Sequence, residues 1–196
     1  MAAARAPLSL AFADENDPMR NVEAVRGVIH LLGSVGDVMI TRADMLAYGA
    51  LANGAAVTAF GTGTSVRHVV PPGSRAGGGR RGVPSVLVPS TLSFKQVDML
   101  SRLPQNAQPR CLHSCCQGAL LSRFDSMSPR ARDPHVHNLI AAAAELANDL
   151  LAVAPTNRAG WFKQLCIDAA AESARIAALG RQPFPVSDQV LAWATA

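Results

Sequence analysis

GVIHLLGSVGDVMITRADMLAYGALANGAAVTAF, residues 27 to 60, is the stretch from which the fold is read. Gly27-Val28-Ile29-His30-Leu31-Leu32-Gly33 is a short apolar run bounded by glycines, the pattern of a buried strand. Asp37 or Thr41 then offers a cap for a helix through Met45, Leu46 and Leu51, which Asn53-Gly54 stops. Ala55 to Phe60 is a second buried strand. Strand, helix and strand within about 35 residues make a βαβ unit, whose strands run parallel.

Outward from this unit, residues 1 to 20 read as a flexible tail. MAAARAPLSLAFADEN imitates a secretory signal, but its apolar run is short, and the plainer reading is the frayed end of a cytoplasmic protein. On the other side, the strand enters Gly61-Thr62-Gly63-Thr64-Ser65, followed by Arg67 and His68. Such a loop offers backbone N–H groups, hydroxyls and one guanidinium to a phosphate of nucleic acid. It has the spacing of neither a P-loop nor a dinucleotide fingerprint, so a plain turn competes, with His68 a surface histidine. His30 is either a core histidine bonded to a carbonyl or a group at the strand's active end. PPGSRAGGGRRG, residues 71 to 82, excludes a regular element. Val86-Leu87-Val88-Pro89 suits a short edge strand, and Ser93 to Leu103 a short helix.

Two helices are expected near the C-terminus. Leu139, Ala143, Leu146 and Leu150 mark the apolar stripe of the first, which Pro155 ends. Trp161, Leu165, Ala169, Ile176 and Leu179 mark the second, up to Gly180. The chain thus divides into a tail (1–20), an α/β segment (21–103) and a metal-binding and helical segment (104–196). The longest apolar helix carries Glu145 and Asp149, and no run of 18 apolar residues occurs, so no membrane span is expected.

Net charge is +4, unevenly spread. Residues 67 to 132 hold ten basic and two acidic side chains, a net +8; the other eight basic and twelve acidic residues give −4. Segregation of this kind suits a phosphate-rich partner, although solvated arginine loops give the same count.

Cys111-Leu112-His113-Ser114-Cys115-Cys116 gathers zinc-competent side chains in six residues. Zinc takes thiolates and imidazoles at the corners of a tetrahedron, and one tight loop can supply several of them. We read Cys111, His113, Cys116 and His137 as the ligands, with Cys115 competing with Cys116 and His135 with His137. Asn138 reads as a capping or turn residue. Four protein ligands close the coordination sphere, so the Zn2+ is expected to be structural. Cys166, alone on an apolar helix, is expected to be an inert core thiol.

Cys111-x-His113-x-x-Cys116 followed by His137-Asn138-Leu139 resembles the C-terminal part of the tRNA-guanine transglycosylase superfamily, including its DNA-modifying relatives. That family carries Cys-x-Cys-x-x-Cys and then His-Asn at the head of a helix; here His113 stands for the middle cysteine. Ile29-His30-Leu31-Leu32-Gly33 is similar to a late strand of the family's barrel, and the resemblance covers residues 27 to 153. It implies the late βα units of a TIM-barrel-like parallel sheet, followed by the zinc loop and helices. The implied activity is base exchange in tRNA or DNA through a covalent ribosyl intermediate on an aspartate. No acidic residue lies between Asp44 and Asp98, and the position nearest the expected nucleophile is about Ala59. A partner chain or a second copy would therefore have to supply the carboxylate and the missing strands. The alternative is a non-catalytic zinc-stabilised module that binds nucleic acid or protein.

Overall fold

The computed structural model describes residues 7–14, 17–61, 69, 71, 73, 84–124 and 133–196. Its first half is β1 (Leu8–Leu10), α1 (Val22–Ser34), β2 (Val38–Ala43), α2 (Met45–Ala52) and β3 (Val57–Phe60). The three strands form one parallel sheet in the order β1-β2-β3, with Leu8 opposite Val38 and Ile40 opposite Thr58. The chain therefore makes two consecutive βαβ units, and the second is displaced from the expected one.

The run 27–33 is helical, not a strand. Val25, Val28 and Leu32 are its buried residues, spaced three and four apart, and Asn21 caps the first turn by accepting from the Ala24 N–H at 2.8 Å. Gly27 and Gly33 lie on the exposed side, where they are no boundary at all. His30 is exposed on α1, neither in the core nor at a strand end. The strand preceding α2 is instead β2, in which Val38 and Ile40 point inward and Met39 outward. Asp44, rather than Asp37 or Thr41, caps α2, and Asn53 ends it as expected. Part of the stretch read as a tail is β1, and Met19 beyond it is buried.

The apolar surface of α2 runs all the way round, and all its residues but Leu51 are buried, between the sheet and the two helices nearest the C-terminus, Arg158–Gly180 and Asp188–Thr195. β4 (Ser85–Val88) and β5 (Ser93–Gln96) form an antiparallel hairpin across the 3-10 turn Pro89–Thr91. The expected helix from Ser93 is confined to α3 (Val97–Ser101), because Ser93 to Gln96 pair with β4 instead.

α4 (Asp133–Asn138), a π-helical stretch (Leu139–Leu146) and α5 (Ala147–Ala152) follow one another directly. Pro134, Asn138, Ala142, Leu146 and Leu150 are all buried, at constant steps of four. In an α-helix of 3.6 residues per turn, each such step would rotate the side chain about 40° further from the core. The wider i→i+5 turns offset that drift and keep one face on the protein. Leu139, assigned to the stripe from sequence, is 54% exposed as a result. α6 (Arg158–Gly180) buries Phe162, Cys166, Ala169, Ser173 and Ile176; Leu179 lies outward and Trp161 and Leu165 are half-buried. Cys166 is fully buried, and burial pushes its thiol up to about 12, as suits an unreactive core cysteine. α7 (Asp188–Thr195), unanticipated from sequence, sets Trp193 edge-on to Phe162, with ring centroids 5.7 Å apart.

Two apolar clusters result. One joins the parallel sheet, α1, α2, α7 and the first half of α6; the other joins β4, α3, the cysteine loop, Phe124 and Ile176. The protein is thus a mixed α/β fold with a three-stranded parallel sheet, a helical C-terminus and a cysteine–histidine cluster between them. Among the described residues a barrel-like arrangement is not seen: the other two strands pair with each other, antiparallel. Among the described residues no helix is long and apolar enough by itself to cross a membrane.

Candidate metal centre

Pro109 to Leu121 folds into a tight loop stapled by its own backbone. Arg110 and Leu120 form an antiparallel bridge, and the Cys111 and Gly118 amides donate to Ala119 and Cys111 carbonyls at 3.1 and 2.8 Å. The Cys116 and Gln117 amides both reach His113 O, at 3.0 and 2.9 Å. Gln117 and Gly118 turn the chain through the left-handed region, with φ of 50° and 86°. That turn lets the adjacent Cys115 and Cys116 face the same point.

Cys111, Cys115, Cys116 and His137 converge there, their ligand atoms all within 4.8 Å of one another. The sulfurs of Cys111 and Cys115 are 3.9 Å apart and those of Cys115 and Cys116 3.6 Å. His137 Nδ1 is 3.4 Å from the Cys115 sulfur and 3.3 Å from that of Cys116. In a tetrahedron with Zn–S of about 2.3 Å and Zn–N of about 2.0–2.1 Å, the edges are roughly 3.8 Å (S–S) and 3.6 Å (S–N). The four side chains have the chemistry and the spacing to hold a metal ion.

His137 supplies the sharpest detail. Its Nε2 donates to Leu87 O at 2.7 Å, which fixes the tautomer and leaves the Nδ1 lone pair directed at the sulfurs. Burial holds its pKa below the usual histidine value, favouring the neutral, ligating form. Burial likewise raises Cys111, and raises Cys115 to about 11, in the absence of a cation. The Arg123 guanidinium lies 3.4 Å from the Cys116 sulfur and also bonds Cys115 O at 3.3 Å, countering thiolate charge from outside. Next to His137, Asn138 is fully buried: it accepts from Leu87 N at 2.7 Å and donates to Ser85 O at 3.0 Å. It is neither ligand nor cap; it pins β4 to the head of the helix.

The sequence-based ligand set is corrected at one position. His113 is not in the cluster, and Cys115 stands there instead, beside Cys116 rather than as an alternative to it. His113 Nδ1 instead bonds the Glu145 carboxylate, which also accepts from Ser114 N at 2.8 Å and Ser114 Oγ at 2.5 Å. Those bonds, the Ser114 hydroxyl first, hold the Glu145 carboxyl below the usual carboxylate range. Glu145 was legible from spacing, lying eight residues, or about two helical turns, beyond His137 on the same side. His135 is exposed and takes no part.

Of the phosphate-loop residues, Gly61 is buried and its N–H donates to Ala43 O at 2.7 Å; Thr62, Gly63, Thr64, Ser65 and Arg67 lie outside the described residues, as does His68. Lys95, counted among the basic residues, is removed from the surface: its ammonium donates to Pro185 O and sits 5.0 Å from the Phe184 ring centre.

A second group of acidic residues was not singled out from the sequence. Asp44 follows β2 directly, and Asp17 lies between β1 and α1, so both stand towards the C-terminal ends of parallel strands. Burial first, then the nearby Asp44, raises Asp17 to about 6. Comparison with protein-family models, with curated proteins and with solved structures finds no match.

Proposed function

We propose that the protein is a zinc-stabilised, non-catalytic module that binds nucleic acid. The observation that carries the zinc reading is the Cys3His cluster whose histidine is held by Leu87 O with its free nitrogen towards the sulfurs. Three thiolates and an imidazole suit zinc, and four protein ligands leave no position for a reacting water, so the ion's role is structural. It would clamp the cysteine loop to the end of α4, and through Leu87 to the hairpin. Nucleic acid as partner follows from the net +8 over residues 67 to 132, even with Lys95 buried.

The test is titration of metal-loaded protein with tRNA and with duplex DNA at rising salt. Affinity that falls steeply and linearly on a log–log scale supports the reading. No binding to either at low salt overturns it.

The second reading, a divergent transglycosylase-like subunit completed by a partner chain, has two observations in its favour. The cluster proves to be three cysteines and one histidine, the composition of the family pattern it resembles, with Asn138 following His137. Asp17 and Asp44 also offer carboxylates beside the parallel strands, where such folds place their chemistry. Against it, the run aligned with the barrel strand is α1. Incorporation of labelled guanine or a deazaguanine into tRNA or DNA, lost in Asp44→Asn or Asp17→Asn, would favour this second reading over the first.

A further inference from the structure

Cys111, Cys115 and Cys116 are not equivalent within the metal cluster. Cys111 and Cys116 are buried, and the Cys116 sulfur also takes the Arg123 guanidinium at 3.4 Å. Cys115 is half-buried, so it alone of the chain's four cysteines offers surface to a small solute. Thiolate sulfur, the form in which cysteine binds zinc, is also the form that peroxides oxidise. An oxidant reaching the cluster therefore meets Cys115 first.

Cys115 also has a partner for a disulfide. Its sulfur lies 3.9 Å from that of Cys111 and 3.6 Å from that of Cys116. A bond to Cys116 would join sequence neighbours and strain the planar trans peptide between them. Cys111 stands four residues back in the same loop, and its sulfur has roughly 2 Å to travel to bonding distance. Cys166 takes no part, because it belongs to the separate apolar cluster under the parallel sheet.

We propose that the cluster is a peroxide-sensitive switch, in which oxidation of Cys115, resolved by Cys111, expels the metal ion. The device presupposes the metal-binding role given above and adds regulation to it. The Cys115 thiolate attacks one oxygen of hydrogen peroxide; the O–O bond breaks, a sulfenic acid forms and hydroxide leaves. The Cys111 thiolate then attacks the Cys115 sulfur, forming the S–S bond and displacing a second hydroxide. Two electrons pass from the pair of sulfurs to one peroxide. Only Cys116 and His137 then remain as ligands, too few to hold the ion, and the loop loses its tie to α4.

The probe is hydrogen peroxide, added to the reduced, zinc-loaded full chain with a chromogenic zinc indicator present. One zinc per chain should be released. The product should be lighter by two hydrogen atoms, with Cys111 linked to Cys115 in peptide mapping and Cys116 and Cys166 still open to alkylation. Dithiothreitol and added zinc should restore the starting metal content. Cys115→His keeps four zinc-competent ligands without an accessible thiol, and its release should be slower by about tenfold or more. Should that variant take up no zinc, the disulfide map of the unmodified protein decides alone. Zinc retained under peroxide, a disulfide that leaves out Cys115, or equally fast release from Cys115→His would each overturn the switch and leave the metal reading standing. A reduced chain that takes up no zinc would overturn both.

Discussion

His113 and Cys115, two positions apart, have opposite duties, and single substitutions separate them. His113→Ala removes a contact to Glu145 and leaves all four clustered ligands in place. It should retain one equivalent of metal. Cys115→Ser removes a corner and should lose most of it, with loosening of the loop, because the binding energy of a structural zinc, about 10–16 kcal/mol in small domains, is folding energy. Metal-to-protein ratios by atomic emission after desalting give the check; metal lost in His113→Ala and kept in Cys115→Ser would return the assignment to His113. Asp17 makes a second residue-scale prediction. Its N-terminal position is tied in by bonds from Met19 N at 2.8 Å and Gln189 Nε2 at 3.1 Å, while Asp44, Asp14 and Asp188 oppose its charge. Raised from 3.8 to about 6, it binds its proton more tightly in the folded chain. The stability it adds is therefore complete below about pH 4 and lost as pH rises through about 6, a swing on the order of 2–3 kcal/mol. Asp17→Asn keeps an acceptor oxygen and removes the charge. It should gain roughly 1–2 kcal/mol at pH 7.5 and nothing at pH 4, measured by urea denaturation at both.

Among the elements, β4 and the end of α4 depend on each other most directly. β5 covers one edge of β4, and the side chains of His137 and Asn138 take up Leu87 O and N on the other, so a helix end serves where another strand would pair. Asn138→Ala would leave Leu87 N and Ser85 O buried without partners and should cost about 2–4 kcal/mol in chemical denaturation, with metal still bound. A cost near zero would mean that water replaces the amide. α2 and α7 meet more tightly still. A Cβ on Gly49 would stand 2.3 Å from the Trp193 ring, so Gly49→Ala should destabilise by about 1–3 kcal/mol despite alanine's better helix propensity. Trp193→Leu should relieve part of that cost in the double variant. Such contacts explain what was legible in the sequence and what was not. Cys111 and Cys116 could be read because few residue types bind metals and both lie in one short loop, and His137, 21 residues further on, because it stands near the start of an apolar helix. A strand within Ala55 to Phe60 and the stop at Asn53-Gly54 were legible from local turn chemistry, but the strand spans only Val57–Phe60 and is half-exposed rather than buried. The register before them was not: Val28 to Leu32 and Val38 to Ala43 are both short and apolar, and glycine at 27 and 33 imitates strand ends while lying on an exposed helix face. Leu139 was misassigned because a 3.6-residue period does not hold across a π-helical stretch.

On the scale of the molecule, two cores share one long helix. α6 gives Phe162, Cys166 and Ala169 to the core under the parallel sheet and Ile176 to the core around the cysteine loop. The first is the larger, mainly aliphatic with Tyr48, Phe162 and Trp193 among its buried residues. The second is small, and Cys111 and Cys116 are part of its packing as well as of the metal cluster. Without a cation, three thiols crowd one point, and burial and mutual repulsion keep Cys111 and Cys115 protonated, so the loop loses its tie to His137. Chelation should therefore act locally: amides in 85–124 and 133–146 should exchange with deuterium markedly faster, while those of β2, β3 and α2 stay protected. The measurement is exchange mass spectrometry on metal-loaded and chelator-treated protein at equal concentration. Uniform loss of protection would show instead that α6 couples the cores into one cooperative unit, and that the ion holds up the sheet as well as the loop.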